Sequence, residues 1–554
     1  MTVVIGRRFP PARAAYDVVV VGGGITGVHL AREAAAAGLT VLLAERRDYG
    51  CGTSSATTKY IHGGLRYLEQ RQLRVVRESL RERRVLGLAA PHLVLPRTFV
   101  LPAWRWSTPS VGLLGAGVGL YELLAADRNR GVPRGRRVPL ARWAGRGEVL
   151  RRVPWLDPVD LRGGFLFTDF LNVHPERLLL TLLKGAVAAG AETLNHAPVV
   201  RFLRSPQGTP DGVHGVVVRD ALTGREHEVR ATVVVNAAGP WAGEVLGLPG
   251  GVAGRPVRTS KGVHLLLRAL PGDDPVLART RDGRHVVVSP WQGSSLVGPT
   301  DDEVPGPVDD VQVTPDDVAA VLATLNSASV ERRGPGDVEA VTVGVRPLAA
   351  TDGGSSYRAS RRAEWVDHRT VGVRGLWTVT GGKWTTARAT AEGLVHALTT
   401  GPDAPLRRAT PPRRVPLDPY GPWPASTPGE ATALPPAAVD HLRRLYGAEA
   451  VALLARAEAE PDLARPLSDR PRRADLAVQV VHGVEAEGAR TLDDLVDRRL
   501  VLGTLGPPTR AELERVARCA APLLGWAEQD VANAVEERVI RDRNLLAASR
   551  VERV

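Results

Sequence analysis

Lysine is nearly absent from this chain: there are four, Lys59, Lys184, Lys261 and Lys383, against sixty-eight arginines among 554 residues. Cysteine is scarcer still. Cys51 and Cys519 exclude a disulfide framework and fit a reducing compartment. A lone thiol between Gly50 and Gly52 reads as a small packed residue, so Cys51 is given no redox role. Aromatic residues make up only 5% of the chain, too few for the interleaved basic and aromatic stripes that hold nucleic acid. Despite the net charge of +12, no nucleic-acid partner is expected; an acidic substrate and an anionic membrane face explain the sign better. No apolar run reaches the length of a bilayer span, and Met1 to Asp17 lacks the apolar core of a secretory signal. No metal site is expected.

Three of the four lysines sit in glycine-rich motifs. Lys59 lies in Thr57-Thr58-Lys59-Tyr60-Ile61-His62-Gly63-Gly64, Lys261 in Ser260-Lys261-Gly262-Val263-His264, and Lys383 in Gly381-Gly382-Lys383-Trp384-Thr385-Thr386. In a tight pocket a compact ammonium on a flexible stem is not replaced by a planar guanidinium. Lys184 falls on the apolar-periodic stretch 178–187 and is expected on a solvated helix face.

The length implies two to three domains. Val18 to Val21 predicts a buried strand, followed by Gly22-Gly23-Gly24, a helix from Ile25 to Ala37 stopped by Gly38, and a strand from Leu39 to Ala44 ending at Glu45. This βαβ unit opens a doubly wound sheet. Gly22-x-Gly24-x-x-Gly27 allows a tight turn and close backbone approach, so that a pyrophosphate can rest on the helix N-terminus while Glu45 accepts from a ribose hydroxyl. The fingerprint fits NAD and FAD equally. Further strands are expected at 232–235, before Ala238-Gly239, and at 376–379. Proline crowds 402–436 as in a linker, and helical spacing fills the remainder.

The run Gly52-Thr53-Ser54-Ser55-Ala56-Thr57-Thr58-Lys59-Tyr60-Ile61-His62-Gly63-Gly64-Leu65-Arg66-Tyr67 resembles the signature of FAD-dependent glycerol-3-phosphate dehydrogenases, within the wider D-amino-acid-oxidase-like flavoproteins. Lys261-Gly262-Val263-His264, Gly298-Pro299-Thr300-Asp301, Gly344-Val345-Arg346-Pro347-Leu348, Gly381-Gly382-Lys383-Trp384 and a stretch with Arg498-Arg499 follow in the family's order. Three places depart from the family pattern: His174-Pro175-Glu176-Arg177-Leu178, Pro299, and Ala387 in place of a tyrosine. The resemblance implies an α/β fold, with a Rossmann-like FAD-binding domain (15–97, 166–251 and 341–400) interleaved with an α+β substrate domain (98–165 and 252–340). A linker (401–436) and an all-α C-terminal domain (437–554) complete the expected layout. It also implies noncovalent FAD and oxidation of sn-glycerol 3-phosphate to dihydroxyacetone phosphate, with hydride leaving towards flavin N5 and electrons passing to a quinone. An oxygen-using oxidase, or a flavin-binding protein without dehydrogenase activity, are the alternatives.

Residue by residue, the resemblance assigns phosphate recognition to Arg66, Arg346 and Arg361, with Tyr67 and Thr300 beside the substrate; forked, permanently charged donors suit a phosphate dianion. Arg361 stands next to Arg362, which leaves the register open by one. His264 is the first candidate for the base and His62 the second, while Lys383 stabilises negative charge. Gly22, Gly24, Gly27, Glu45, Thr53, Ser54, Ser55, Lys59, His62, Gly63, Gly64, Ala238, Gly239, Gly382 and Lys383 are expected at the cofactor. Trp104-Arg105-Trp106 and the apolar stretch 111–121, with Arg128 and Arg130 beyond it, read as an interfacial segment or a buried helix. A cytoplasmic protein, peripheral on the cytoplasmic face of the membrane, is expected. A homodimer is compatible with the sequence, which leaves the oligomeric state open.

Overall fold

Four consecutive valines, Val18 to Val21, are each buried, as β-branched residues with both faces covered by other layers should be. They form the end of strand β1 (Ala15–Val21), followed by helix α1 (Ile25–Ala36) and strand β2 (Val41–Ala44). The computed structural model describes residues 3–107, 109–206, 211–252, 257–280, 283–304, 306–348, 363–406, 416–423 and 434–548. β1 pairs in parallel with β2 on one side and with the strand Glu226–Asn236 on the other. Glu192–Leu194 and Leu376–Gly381 extend the parallel run outward on the two sides. The strand order therefore reverses direction between β1 and Glu226–Asn236, and a ligand crevice is expected outside their carboxyl ends. Gly22 and Ala237 meet there: a Cβ on Gly22 would lie 2.8 Å from the Ala237 carbonyl oxygen.

A second sheet, largely antiparallel, is built around the long strands Val94–Trp104, Leu161–Asn172, Thr259–Arg268 and Val338–Pro347. Leu161–Asn172 runs unbroken through position 166 and lies wholly in this sheet. The short strand Tyr60–Ile61 attaches to it, so the chain crosses from one sheet to the other within the run from Gly52 to Tyr67. Helix Pro315–Asn326 buries Val318, Val321, Leu322 and Leu325 in the core of this second sheet.

The C-terminal region is helical, with Ala477–Glu485, Arg510–Leu524 and Glu528–Ala548 packed on a core of their own. One expectation is overturned here. Lys184 is not solvated: it is buried in helix Pro175–Ala188, and its Nζ donates to Glu449 at 2.6 Å and to Glu487 at 2.7 Å. The apolar periodicity around it is genuine, but carboxylates from the C-terminal region cover the face on which it lies.

Candidate active site

The turn between β1 and α1 forms one end of the site. Gly22 takes φ +109°, a conformation costly for any residue with a Cβ. A Cβ on Gly27 would lie 1.9 Å from the Gly22 carbonyl oxygen, so the first turn of α1 sits directly against the loop. Gly24, Ile25 and Thr26, at the start of that helix, line a cavity of about 720 Å³. Glu45, at the end of β2, accepts from the backbone N–H of Gly23 at 2.6 Å and of Arg47 at 2.8 Å. Burial raises its carboxyl pKa, against the lowering effect of these donors. Ser54 Oγ accepts from the Ile25 N–H at 2.9 Å, and the Trp384 indole donates to the Ser54 carbonyl at 3.1 Å. The loop after β2 is thus tied both to α1 and to the Lys383 motif.

At the other end the lining changes to Tyr60, Phe99 and Phe167, with Arg66, Tyr67, His264, Arg346 and Lys383. Lys383 is the one lysine of the four without a carboxylate partner among the described residues. Lys59 pairs with Glu176 at 3.0 Å, Lys184 with Glu449 and Glu487, and Lys261 with Asp317 at 2.7 Å. The Lys383 Nζ is buried, has no hydrogen-bond partner among the described residues, and lies 4.4 Å from the centroid of the Tyr67 ring. The Arg66 guanidinium is 5.1 Å from the same ring. Burial lowers the Lys383 pKa, and Arg66 adds to the effect while Tyr67 opposes it.

His264 is buried and both ring nitrogens lack a partner among the described residues. Burial first, then the charges of Arg346 and Lys59, pull its pKa down to about 3. It stands in the strand Thr259–Arg268, two residues after Gly262, so the two share a face. Arg346 reaches across from the paired strand, donating to the Thr300 carbonyl at 3.2 Å and to Asp301 Oδ1 at 3.4 Å. His62 also lines the cavity and is likewise pulled down to about 3 by burial, Lys383 and Arg66.

Of the residues singled out from the sequence, Gly22, Gly24, Glu45, Thr53, Ser54, His62, Gly64, Arg66, Tyr67, Ala238, Gly239, His264, Arg346, Gly382 and Lys383 line this one cavity. Gly27, Ser55, Lys59, Gly63 and Thr300 lie outside its lining. Lys59, expected beside the cofactor, turns instead to Glu176 and to the Ser55 carbonyl at 3.2 Å. The Ser55 hydroxyl donates to the Gly52 carbonyl at 2.9 Å. The Gly63 N–H is directed at Asp169 and Tyr121, each at 3.1 Å. Thr300 Oγ1 accepts from the Val263 N–H at 3.0 Å, so Thr300 is tied to the strand that carries His264 and leaves the lining to others. Arg361 lies outside the described residues. Sequence reading missed Asp169, a buried lining carboxylate held by Arg83 at 2.6 Å and by the Tyr121 hydroxyl at 2.9 Å. It also missed Gly262; a glycine before Val-His in a strand was the available signal.

The cavity fits FAD: a glycine turn with no room for Cβ atoms, a helix start, an acid at the end of β2, and a far end with a cation that has no hydrogen-bond partner among the described residues. Residues 17–397 match the FAD dependent oxidoreductase family, and residues 381–531 match the family described as the C-terminal domain of alpha-glycerophosphate oxidase. The chain is 34% identical over 556 residues to a glycerol-3-phosphate dehydrogenase of Synechocystis sp., covering 96% of this chain and 97% of that one. It is 35% identical over 361 residues to an alpha-glycerophosphate oxidase of Streptococcus pyogenes, covering 63% of this chain and 57% of that one. The crystal structure of a glycerol-3-phosphate dehydrogenase from Bacillus halodurans complexed with FAD superposes with a TM-score of 0.73 at 25% identity, covering 97% of this chain and 95% of that one. The chain therefore belongs to the FAD dependent oxidoreductases, in the branch of the FAD-dependent glycerol-3-phosphate dehydrogenases, and FAD is its cofactor.

Proposed function

We propose that this protein oxidises sn-glycerol 3-phosphate to dihydroxyacetone phosphate, with a quinone as electron acceptor. The observation that carries the reading is the buried ammonium of Lys383 in one cavity with Arg66, Arg346 and the imidazole of His264, with neither Lys383 nor His264 hydrogen-bonded through its side chain among the described residues. A cation buried without a counter-ion is costly unless a ligand brings the opposite charge. A phosphate ester carrying a secondary alcohol does so.

Arg66 and Arg346 take the phosphate as forked donors, with Arg361 as the third arginine assigned to it. Thr300 positions Arg346 through its carbonyl. His264 is neutral near pH 7, with burial and Arg346 keeping the proton off. A dianion bound beside it favours the imidazolium, so His264 becomes a better acceptor for the C2 hydroxyl proton once substrate is in place. Lys383 stabilises the charge that develops on the C2 oxygen. Tyr60, Phe99 and Phe167 keep water from this end. When bound, the flavin supplies the two-electron acceptor. In an anaerobic dye-reduction assay glycerol 3-phosphate reduces the dye and glycerol does not; equal rates with the two would overturn the phosphate recognition.

The acceptor reading draws on the helix Val111–Leu124. Only Val118 and Tyr121 are buried in it, while Leu113 is 62% and Leu123 70% exposed. Among the described residues, Gly112, Gly117 and Gly119 have no neighbouring atom within 4 Å of a Cβ position, so none packs closely against them. Arg130, Arg134 and Arg137 are exposed just beyond it. An apolar face edged with arginine suits an anionic bilayer surface. Its fourteen residues extend about 21 Å, short of a bilayer's hydrocarbon core, and no helix among the described residues is long and apolar enough to cross one. On this proposal the protein lies peripherally on the cytoplasmic face of the membrane, where a quinone is within reach. The relative named an oxidase favours oxygen instead; substrate-dependent oxygen uptake without added quinone would establish that acceptor.

A further inference from the structure

Asp48 is fully buried three residues after Glu45, at the start of the Gly50-Cys51-Gly52 wall of the cofactor cavity. Its carboxylate is met from 450 positions away. Arg498 and Arg499 both donate to Oδ2, and Arg499 donates a second bond to Oδ1 at 3.0 Å. Asn195 adds a fourth donor at 3.0 Å and spends its other bond on the Gly488 carbonyl at 2.8 Å. The Asp48 carbonyl accepts from the Cys51 N–H at 3.2 Å, and the Gly50 N–H donates to the Gly23 carbonyl at 3.0 Å. The loop is thereby fixed against the glycine fingerprint itself. A second grip lies behind it. Arg177 and Lys184 of helix Pro175–Ala188 both pair with Glu487, and Leu179 of that helix presses on Gly50, where a Cβ would lie 3.0 Å from its Cδ1.

We infer that the C-terminal helical region is part of the cofactor site, with Arg498 and Arg499 gripping Asp48 as the positioning pair that holds the Glu45–Gly52 loop in its FAD-binding shape. Buried charges of opposite sign in a forked arrangement fix geometry closely, because any displacement leaves one of them unpaired. Neither arginine is itself part of the cavity lining, and their hydrogen bonds to the loop go to Asp48, so they act through the loop. The inference needs only FAD; it stands or falls independently of the substrate proposed above.

The test uses full-length apoprotein titrated with FAD, read by quenching of flavin fluorescence, alongside the thermal midpoint of each apoprotein. Asp48→Asn keeps the shape of the side chain and removes its charge. Glu512→Gln is the control: it breaks a comparable buried pair, Glu512 with Arg473 at 2.9 Å, inside the C-terminal region and away from the loop. Both variants should lower the midpoint, but only Asp48→Asn should raise the Kd for FAD, by about tenfold or more, with Glu512→Gln within about twofold of the wild type. Arg498→Lys, which keeps the charge and loses the fork, gives the reading if Asp48→Asn does not fold, and should weaken FAD by about threefold or more. An unchanged Kd in the folded loop variants, or an equal loss in Glu512→Gln, overturns the inference.

Discussion

Gly262 lies against the guanidinium of Arg346: a Cβ there would fall 1.9 Å from Nη2. The two residues occupy neighbouring strands, with Gly262 opposite Gly344 and Arg346 opposite Ser260, so the arginine crosses the strand over the only residue type that leaves it room. Gly262→Ala should displace Arg346, raising KM for glycerol 3-phosphate about tenfold or more while FAD content stays unchanged, the loss expected for a charged hydrogen-bonding group. Steady-state kinetics with flavin quantified per chain checks it. A normal KM would remove Arg346 from phosphate recognition.

Lys383 should show opposite effects on activity and stability. Replacing it by methionine removes a desolvated ammonium with no partner among the described residues. The thermal midpoint should hold or rise while kcat falls by about 10²–10³, the cost of losing one preorganised electrostatic donor. A lower midpoint with kcat retained would mark the lysine as structural.

Acid should destabilise the protein through its buried histidines. His29 lacks a partner on either ring nitrogen among the described residues, and its pKa is pulled down to about 3 by burial first and then by Arg388 and Arg32. The folded value lies below the unfolded one, near 6.5, so the unfolded chain takes up the proton first as pH falls. The stability is complete above about pH 6.5 and is lost progressively towards pH 3, amounting to about 2 kcal/mol for this residue at pH 5. Between pH 7.5 and 5, His29→Leu should lose less thermal stability than the wild type. Equal losses would mean that His29 is already charged in the fold.

The exposed leucines of helix Val111–Leu124 should decide membrane attachment. Leu113→Asp with Leu123→Asp should abolish flotation with anionic liposomes and leave dye-linked turnover within about twofold, since neither side chain lines the cavity. Flotation that survives the pair would assign binding to another face.

The parts of this site that are legible in the sequence are local ones. The β1–α1 turn, Glu45 and the Gly381-Gly382-Lys383 motif are each set by a few adjacent residues, and all meet in one cavity. The parts that escape are made by distance. Lys184 reads as a surface position because its partners, Glu449 and Glu487, are 265 and 303 positions away. Asp48 gives no signal beyond an ordinary acid near a turn, since its meaning lies in Arg498 and Arg499. Lys59 and Lys383 share a motif style, and only the fold separates a lysine satisfied by Glu176 from one left for a ligand. The long strands Glu226–Asn236 and Leu161–Asn172 exceed any run of apolar alternation, because pairing with neighbours, and not hydrophobicity alone, sets their length.

The central claim is tested most directly by the visible spectrum of the purified holoprotein under anaerobic conditions, before and after addition of glycerol 3-phosphate. The account predicts a yellow protein whose flavin band bleaches within the mixing time, with wild-type Lys383 and His264 required for the full rate. A yellow protein whose band persists at saturating glycerol 3-phosphate would keep the FAD fold and contradict the proposed substrate.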